Sequence, residues 1–222
     1  MVSRLHETPI VAQPGSRRLA EGSTPAVLAD VFDEDVNIAV WQRELSRGIE
    51  NAVDRLLASE PSLSASMTVS PGTAHASVGD RLGAEAHNLS SDIALLVLMF
   101  CELLGLRRAG LRLAVLDGAM CPKFHVDMVP CRLIATYCGP GTEWLPHDAV
   151  DRSKLGLGSR GLKDHESGLM ESPDEIRKLK RGDVALLKGE LWEGNHGAGL
   201  VHRSPAVASG DARLVLTLDV SG

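Results

Sequence analysis

Apolar residues recur at helical spacing between Val40 and Ala58, where Leu45, Ile49, Val53 and Leu56 fall on one face. The pattern predicts a helix there, ended by Pro61 and the serine-rich stretch behind it. A second helix is predicted over residues 92–104, with Ser90 or Ser91 as its cap and Gly105 as its stop. Its most apolar part, Ile93 to Leu104, contains Glu102 and is too short to cross a bilayer, so it reads as a buried helix. Residues 62–80, small and polar, read as loop or as a short strand around Met67 to Val69.

After Gly110 the texture changes. Leu111 to Leu116 and Cys131 to Cys138 read as strands, the second ending at the turn signal Gly139-Pro140-Gly141. The strand pattern resumes at Asp183 to Lys188, at Leu200 to His202 and at Arg213 to Val220. Residues 151–175 form a long polar segment with several glycines, a loop length that in compact domains often serves function. Residues 1–25 are rich in Pro, Gly, Ser and Arg without periodicity and read as a loose arm. The expectation is an α+β chain: a flexible arm over 1–25, then one domain over 26–222. Its mainly helical part (26–109) would pack on a C-terminal double-stranded β-helix, a cupin-like jelly-roll (110–222).

Composition narrows the function. At 222 residues the chain is long enough for one substantial core, and with aromatics at 3% that core must be built from Leu, Val, Ile and Ala. The net charge of -6 and the lack of a long basic stripe argue against nucleic acid as a partner. Arg17-Arg18 and the Lys178–Arg181 cluster read as solvated surface. Met1 to Pro14 has no continuous apolar core of the signal-peptide type, and Cys101, Cys121, Cys131 and Cys138 form no CxxC pair. Reduced thiols in a cytoplasmic protein without membrane contact are therefore expected. Neither a GxxxxGK phosphate loop nor a GxSxG nucleophile motif is present.

Candidate chemistry begins at His125-Val126-Asp127. On an extended strand, residues i and i+2 point the same way with Cα atoms about 6.5–7 Å apart. A ring nitrogen and a carboxylate oxygen then come within reach of one ion. With His202 the set becomes two imidazoles and a carboxylate, which can hold a divalent metal and leave its other side open, as in non-haem Fe(II) oxygenases. The tripeptide alone is unspecific, since a surface histidine near a turn aspartate gives the same pattern. The order around it says more: HxD, strand, long insertion, glycine-turn strand, histidine, turn, and a strand opening on Arg213. In that last strand Leu214, Leu216 and Leu218 share one face, while Arg213, Val215, Thr217 and Asp219 share the other, which is either solvent or the barrel cavity.

This order resembles the double-stranded β-helix of Fe(II)/2-oxoglutarate dioxygenases, such as the prolyl hydroxylase-like and phytanoyl hydroxylase-like groups, over residues 110–220. The resemblance implies His125, Asp127 and His202 as iron ligands at the catalytic centre and Arg213 as the partner of the distal carboxylate of 2-oxoglutarate. A bidentate arginine–carboxylate pair suits a dicarboxylate and is worth roughly 1.5–3 kcal/mol. Arg132 ranks second as an anion anchor and Arg203 third. Tyr137 and Thr136 are candidates to contact bound acid or substrate, Glu143 and Trp144 to line the cavity mouth, and residues 151–175 to form a lid. His196 reads as a loop histidine and His147-Asp148 as surface. The whole chain is also similar to a bacterial family of unknown function. Cys121–Asp127, Thr136-Tyr137, Gly139–Leu145 and Val201–Pro205 carry that likeness, which implies no activity.

Two other readings stay open. Cys121 with His125 and His202 would be a zinc set, in a zinc-binding protein or a zinc hydrolase. Alternatively the chain is a metal-free β-barrel binding module whose helical part serves as a homodimer or docking surface. The primary substrate, small molecule or protein, is not specified.

Overall fold

Alternation along the C-terminal strands decides the architecture of the computed structural model, which describes residues 15–221. In β10 (Arg213–Val220) the three leucines are fully buried on one face, and Arg213 and Val215 are buried on the other. This strand pairs antiparallel with β5 (Cys131–Cys138) on one side and β4 (Ala109–Leu116) on the other. With β1 (Arg18–Gly22), β2 (Val36–Trp41), β3 (Ser64–Val69) and β8 (Val184–Lys188) they form a seven-stranded sheet in the order β1-β2-β8-β5-β10-β4-β3. Only the β1–β2 pair is parallel. A smaller sheet, β7-β6-β9, is made of β6 (Glu143–Leu145), β7 (Arg177–Lys178) and β9 (Val201–Arg203).

Three helices cover the leucine face of the large sheet: α1 (Arg47–Ser59), α2 (Ala74–Leu82) and α3 (His87–Leu104). Val53, Ile93, Leu96 and Phe100 pack there against Leu133, Leu214 and Leu216. The small sheet covers the opposite face, with Ile38, Ile134, Trp144, Leu187 and Val215 between the two sheets. A third cluster lies on the outer face of the small sheet, where Leu169 and Met170 pack on Phe124, Leu145 and Val201. The layers are therefore helices, large sheet, small sheet and the 151–175 segment.

The strands over 131–138 and 213–220 have the expected bounds, and Gly105 ends α3 in the left-handed region at φ +65°. Other elements differ. The helix expected from residue 40 begins at Arg47, with Ser46 accepting a bond from the Ile49 N–H as its cap. Residues 40 and 41 instead end strand β2, in which Ile38 and Val40 face one core and Ala39 the other, and residues 42–46 are neither helix nor strand. A strand buried on both faces shows no alternation, so its apolar run merges with a neighbouring helical pattern. Part of the expected loose arm, Arg18–Gly22, is the edge strand β1; Met1 to Pro14 lie outside the described residues. Within 62–80 the strand is longer than expected, and α2 follows it, burying Ala74, Val78 and Leu82. Helix α3 starts at His87, so Ser90 is not its cap but a buried residue. By length and composition alone Ala84–Leu104 could cross a membrane, but its apolar face packs on the sheet as a core helix. The expected helical part thus supplies strands β2 and β3 of the large sheet as well as the helices, and the expected arm supplies β1.

Candidate metal centre

The segment ahead of β5 runs beside β9 through a single bridge. His125 and His202 exchange both backbone N–H···O bonds, each 3.0 Å long. Residues paired in this way project their side chains from the same face, and the two imidazole centroids stand 4.6 Å apart. Each ring is oriented from behind: Nδ1 lies 3.0 Å from the Lys123 carbonyl in His125 and 3.2 Å from the Leu200 carbonyl in His202. A carbonyl only accepts, so Nδ1 carries the hydrogen and Nε2 is left for the centre. Asp127 completes the group, with Oδ1 3.6 Å from His125 Nε2 and Oδ2 3.3 Å from His202 Nε2. One ligand atom from each of the three lies within 4.8 Å of the others. Among the described residues this is the one such set of three or more His, Cys, Asp or Glu side chains.

Electrostatics suit a cation. Burial pushes the Asp127 carboxyl up, but the imidazoles of His125 and His202 beside it and the charge of Arg132 outweigh it, holding the group well below the usual carboxylate range. The Asp127 carboxylate, 3.6 Å from its Nε2, in turn raises His125 above the ordinary histidine value. A divalent ion would displace that proton, as metal binding generally does. Gly189 lets the next chain segment approach: a Cβ there would strike the carbonyl oxygens of Val129 and Asp127.

Arg213 is 2% exposed and faces the space between the sheets. Its Nη2 donates to Thr142 Oγ1 at 2.9 Å and more weakly to Thr136 Oγ1 at 3.4 Å. Its Nε is buried without a partner. Among the described residues no carboxylate pairs with it, and burial lowers its pKa to about 10. Gly139, at φ +78°, makes room behind it, since a Cβ there would press on Ala212 O and the Arg213 Cα. A desolvated cation with unspent donors is costly unless something anionic meets it. Thr136 shares this space, and Trp144 sits opposite His202 in the inter-sheet core.

Other sequence candidates lie elsewhere. Arg132 is not a spare anion anchor: Nη1 donates to Asp127 Oδ2 at 2.8 Å, and Nε and Nη2 donate to Asp219 at 2.7 and 3.0 Å. Tyr137 points to the helix side, where its hydroxyl donates to Asp92 at 2.6 Å, so it cannot touch a ligand beside Arg213. Arg203, the residue after His202, turns to the outer face and donates to Glu143 at 2.7 Å and Asp164 at 2.9 Å. Glu143 therefore braces the outer face of the small sheet rather than the cavity mouth. The 151–175 segment packs on that same outer face, not across the cavity as a lid. Cys121 is exposed and does not join the histidines. The side chain of His196 is 85% exposed beside Glu190, and His147 contacts Arg152. Asp219, Thr142 and Asp164 were not singled out from the sequence. Only Asp219 had a signal there, its place on the Arg213 face of the strand.

These layers and their order have counterparts among solved structures. The chain is similar to the dioxygenase for auxin oxidation of rice, with 12% identity and a TM-score of 0.50 over 92% of this chain and 82% of that one. It is also similar to the Arabidopsis thaliana dioxygenase for auxin oxidation 1 in its 2-oxoglutarate complex (10% identity, TM-score 0.49, 93% and 92% of the two chains). A Pseudomonas putida prolyl-4-hydroxylase matches at 13% identity and a TM-score of 0.46, over 88% and 92%. The rice match shows that the chain shares the fold of that protein. Residues 22–219 match the profile described as "Protein of unknown function (DUF1826)", and the chain belongs to that family. No curated protein matches it.

Proposed function

We propose that the protein is an Fe(II)- and 2-oxoglutarate-dependent oxygenase. One observation carries the reading: Arg213, a buried guanidinium with an orphaned Nε, lies between the same two sheets as a convergent His-Asp-His set. The donor set fits the metal, since two neutral imidazoles and one carboxylate leave half of an octahedral ion open. The unpaired guanidinium fits the co-substrate, because its free edge suits the distal carboxylate of a dicarboxylate. The names of the structural neighbours, which include dioxygenases and a prolyl-4-hydroxylase, support the same class.

In this reading His125, Asp127 and His202 hold the iron. Bound iron and 2-oxoglutarate supply the oxidising chemistry, in which O2, 2-oxoglutarate and substrate give oxidised substrate, succinate and CO2. The protein supplies position. Carbonyls behind both imidazoles fix their orientation, and Thr142 and Thr136 set the plane of the Arg213 guanidinium. Val215 and Ile134 keep the space beside it apolar. The zinc set with Cys121 is disfavoured by the exposure of that thiol. A metal-free binding module would leave both the convergence and the buried cation without a role.

Anaerobic mixing of Fe(II), 2-oxoglutarate and native protein tests the proposal. A visible charge-transfer band is expected with the native chain and none with His202→Ala. No band with folded native protein would overturn the reading.

A further inference from the structure

The two oxygens of Asp127 are not equivalent. Oδ2 accepts a 2.8 Å charge-assisted bond from Arg132 and lies 3.3 Å from His202 Nε2, whereas Oδ1 takes no hydrogen bond among the described residues and has His125 Nε2 beside it at 3.6 Å. The carboxylate is 12% exposed, so little water competes for either oxygen. A guanidinium that holds one carboxylate oxygen leaves the other as the metal ligand. A carboxylate free to use both oxygens would close one of the positions that a three-ligand site keeps open.

Arg132 also presents a difficulty. A full positive charge one carboxylate away from a divalent ion opposes its binding. Asp219 answers it. The antiparallel register of β5 and β10 places Arg132 directly opposite Asp219, so both side chains leave the same face. Asp219 then takes the other edge of the guanidinium with two bonds, 2.7 and 3.0 Å. With Asp219 the trio of Asp127, Arg132 and Asp219 carries one net negative charge; without it the trio carries none.

We propose that Arg132 and Asp219 are paired positioning residues. Arg132 restricts Asp127 to one ligand oxygen, and Asp219 cancels the charge that this restriction brings beside the metal. The inference rests on the metal-site reading above. It makes the two partners of one ion pair act in opposite directions on metal affinity, which a merely structural salt bridge would not do.

Co(II) serves as the probe, followed by its d–d absorption, with 2-oxoglutarate then titrated into the Co(II)-loaded protein. Asp219→Asn is expected to weaken Co(II) binding by about tenfold or more, the usual size of an outer-shell effect. The double variant Arg132→Met/Asp219→Asn is expected to recover most of that loss. Arg132→Met alone is expected to hold Co(II) at least as tightly as the native protein, but to bind 2-oxoglutarate about tenfold more weakly, with a changed d–d spectrum. Should Asp219→Asn not fold, the Arg132→Met spectrum and 2-oxoglutarate titration decide the matter. The proposal is overturned if native protein binds Co(II) and Asp219→Asn binds it equally well. It is also overturned if the double variant is no better than the single, or if Arg132→Met leaves spectrum and 2-oxoglutarate affinity unchanged. Native protein that binds no Co(II) would instead remove the metal-site reading itself.

Discussion

Arg213 is held at a loss in the free protein. It is desolvated, has no anionic partner among the described residues, and leaves one donor unused. Stability would be served better by an apolar side chain of similar length, as at other sites where function opposes stability. Arg213→Met should therefore leave the unfolding free energy unchanged or raise it by on the order of 1 kcal/mol, while 2-oxoglutarate binding is lost. Denaturant unfolding and a 2-oxoglutarate titration of the same variant check both halves. A variant that is strongly destabilised, or one that still binds the acid, would contradict this role. At this scale the sequence was informative wherever parity alone decides a direction. The spacing of two in His125 and Asp127 and the leucine alternation behind Arg213 set which face each side chain takes. Parity in β5 also separates Tyr137, with Leu133 and Ala135, from Arg132, Ile134 and Thr136. Parity does not name a partner, however, and nothing local tells that Arg132 spends its donors on Asp127 and Asp219.

The small sheet is tied to its surroundings by charged side chains on its outer face. Arg203 bridges Glu143 of β6 and Asp164 of the 151–175 segment, and Lys178 of β7 reaches Glu143 at 3.0 Å. Asp164 also accepts the N–H of Phe124, so one carboxylate touches the neighbours of both His125 and His202. Burial pushes the Glu143 carboxyl up, but Arg203 and Lys178 outweigh it and hold the group below its ordinary value. A carboxylate with a depressed folded pKa contributes stability that is complete above its unfolded value, about 4.3. That contribution is lost as pH falls through the lower, folded value. Glu143→Gln should thus cost about 1–3 kcal/mol at pH 7, and the gap to the native protein should close below about pH 4. Urea unfolding of both proteins across this range measures it; a gap constant with pH would show that the carboxylate charge is not what Arg203 and Lys178 require. The segment's attachment was illegible because Asp164 acts across 39 and 40 residues of chain. Strand β2 was hidden for a different reason, being buried on both faces, and α2 because its buried positions are spread among small polar residues.

In the whole molecule, one sheet serves two cores. Its leucine face is sealed by the helices, and its other face is roofed by the small sheet, so that polar side chains there are sequestered without entering the main core. The His125–His202 bridge joins the approach to β5 with β9, and the Arg132–Asp219 register joins β5 with β10. The set of His125, Asp127 and His202 therefore forms only when both sheets are in place, and under the proposed function ion binding should be linked to global folding. A crystal structure of the native protein with Mn(II) and 2-oxoglutarate, collected for anomalous scattering, tests this account most directly. The predicted result is one anomalous peak bounded by His125, Asp127 and His202, with the far carboxylate of the acid on Arg213. A peak elsewhere, or the acid bound away from Arg213, would contradict it.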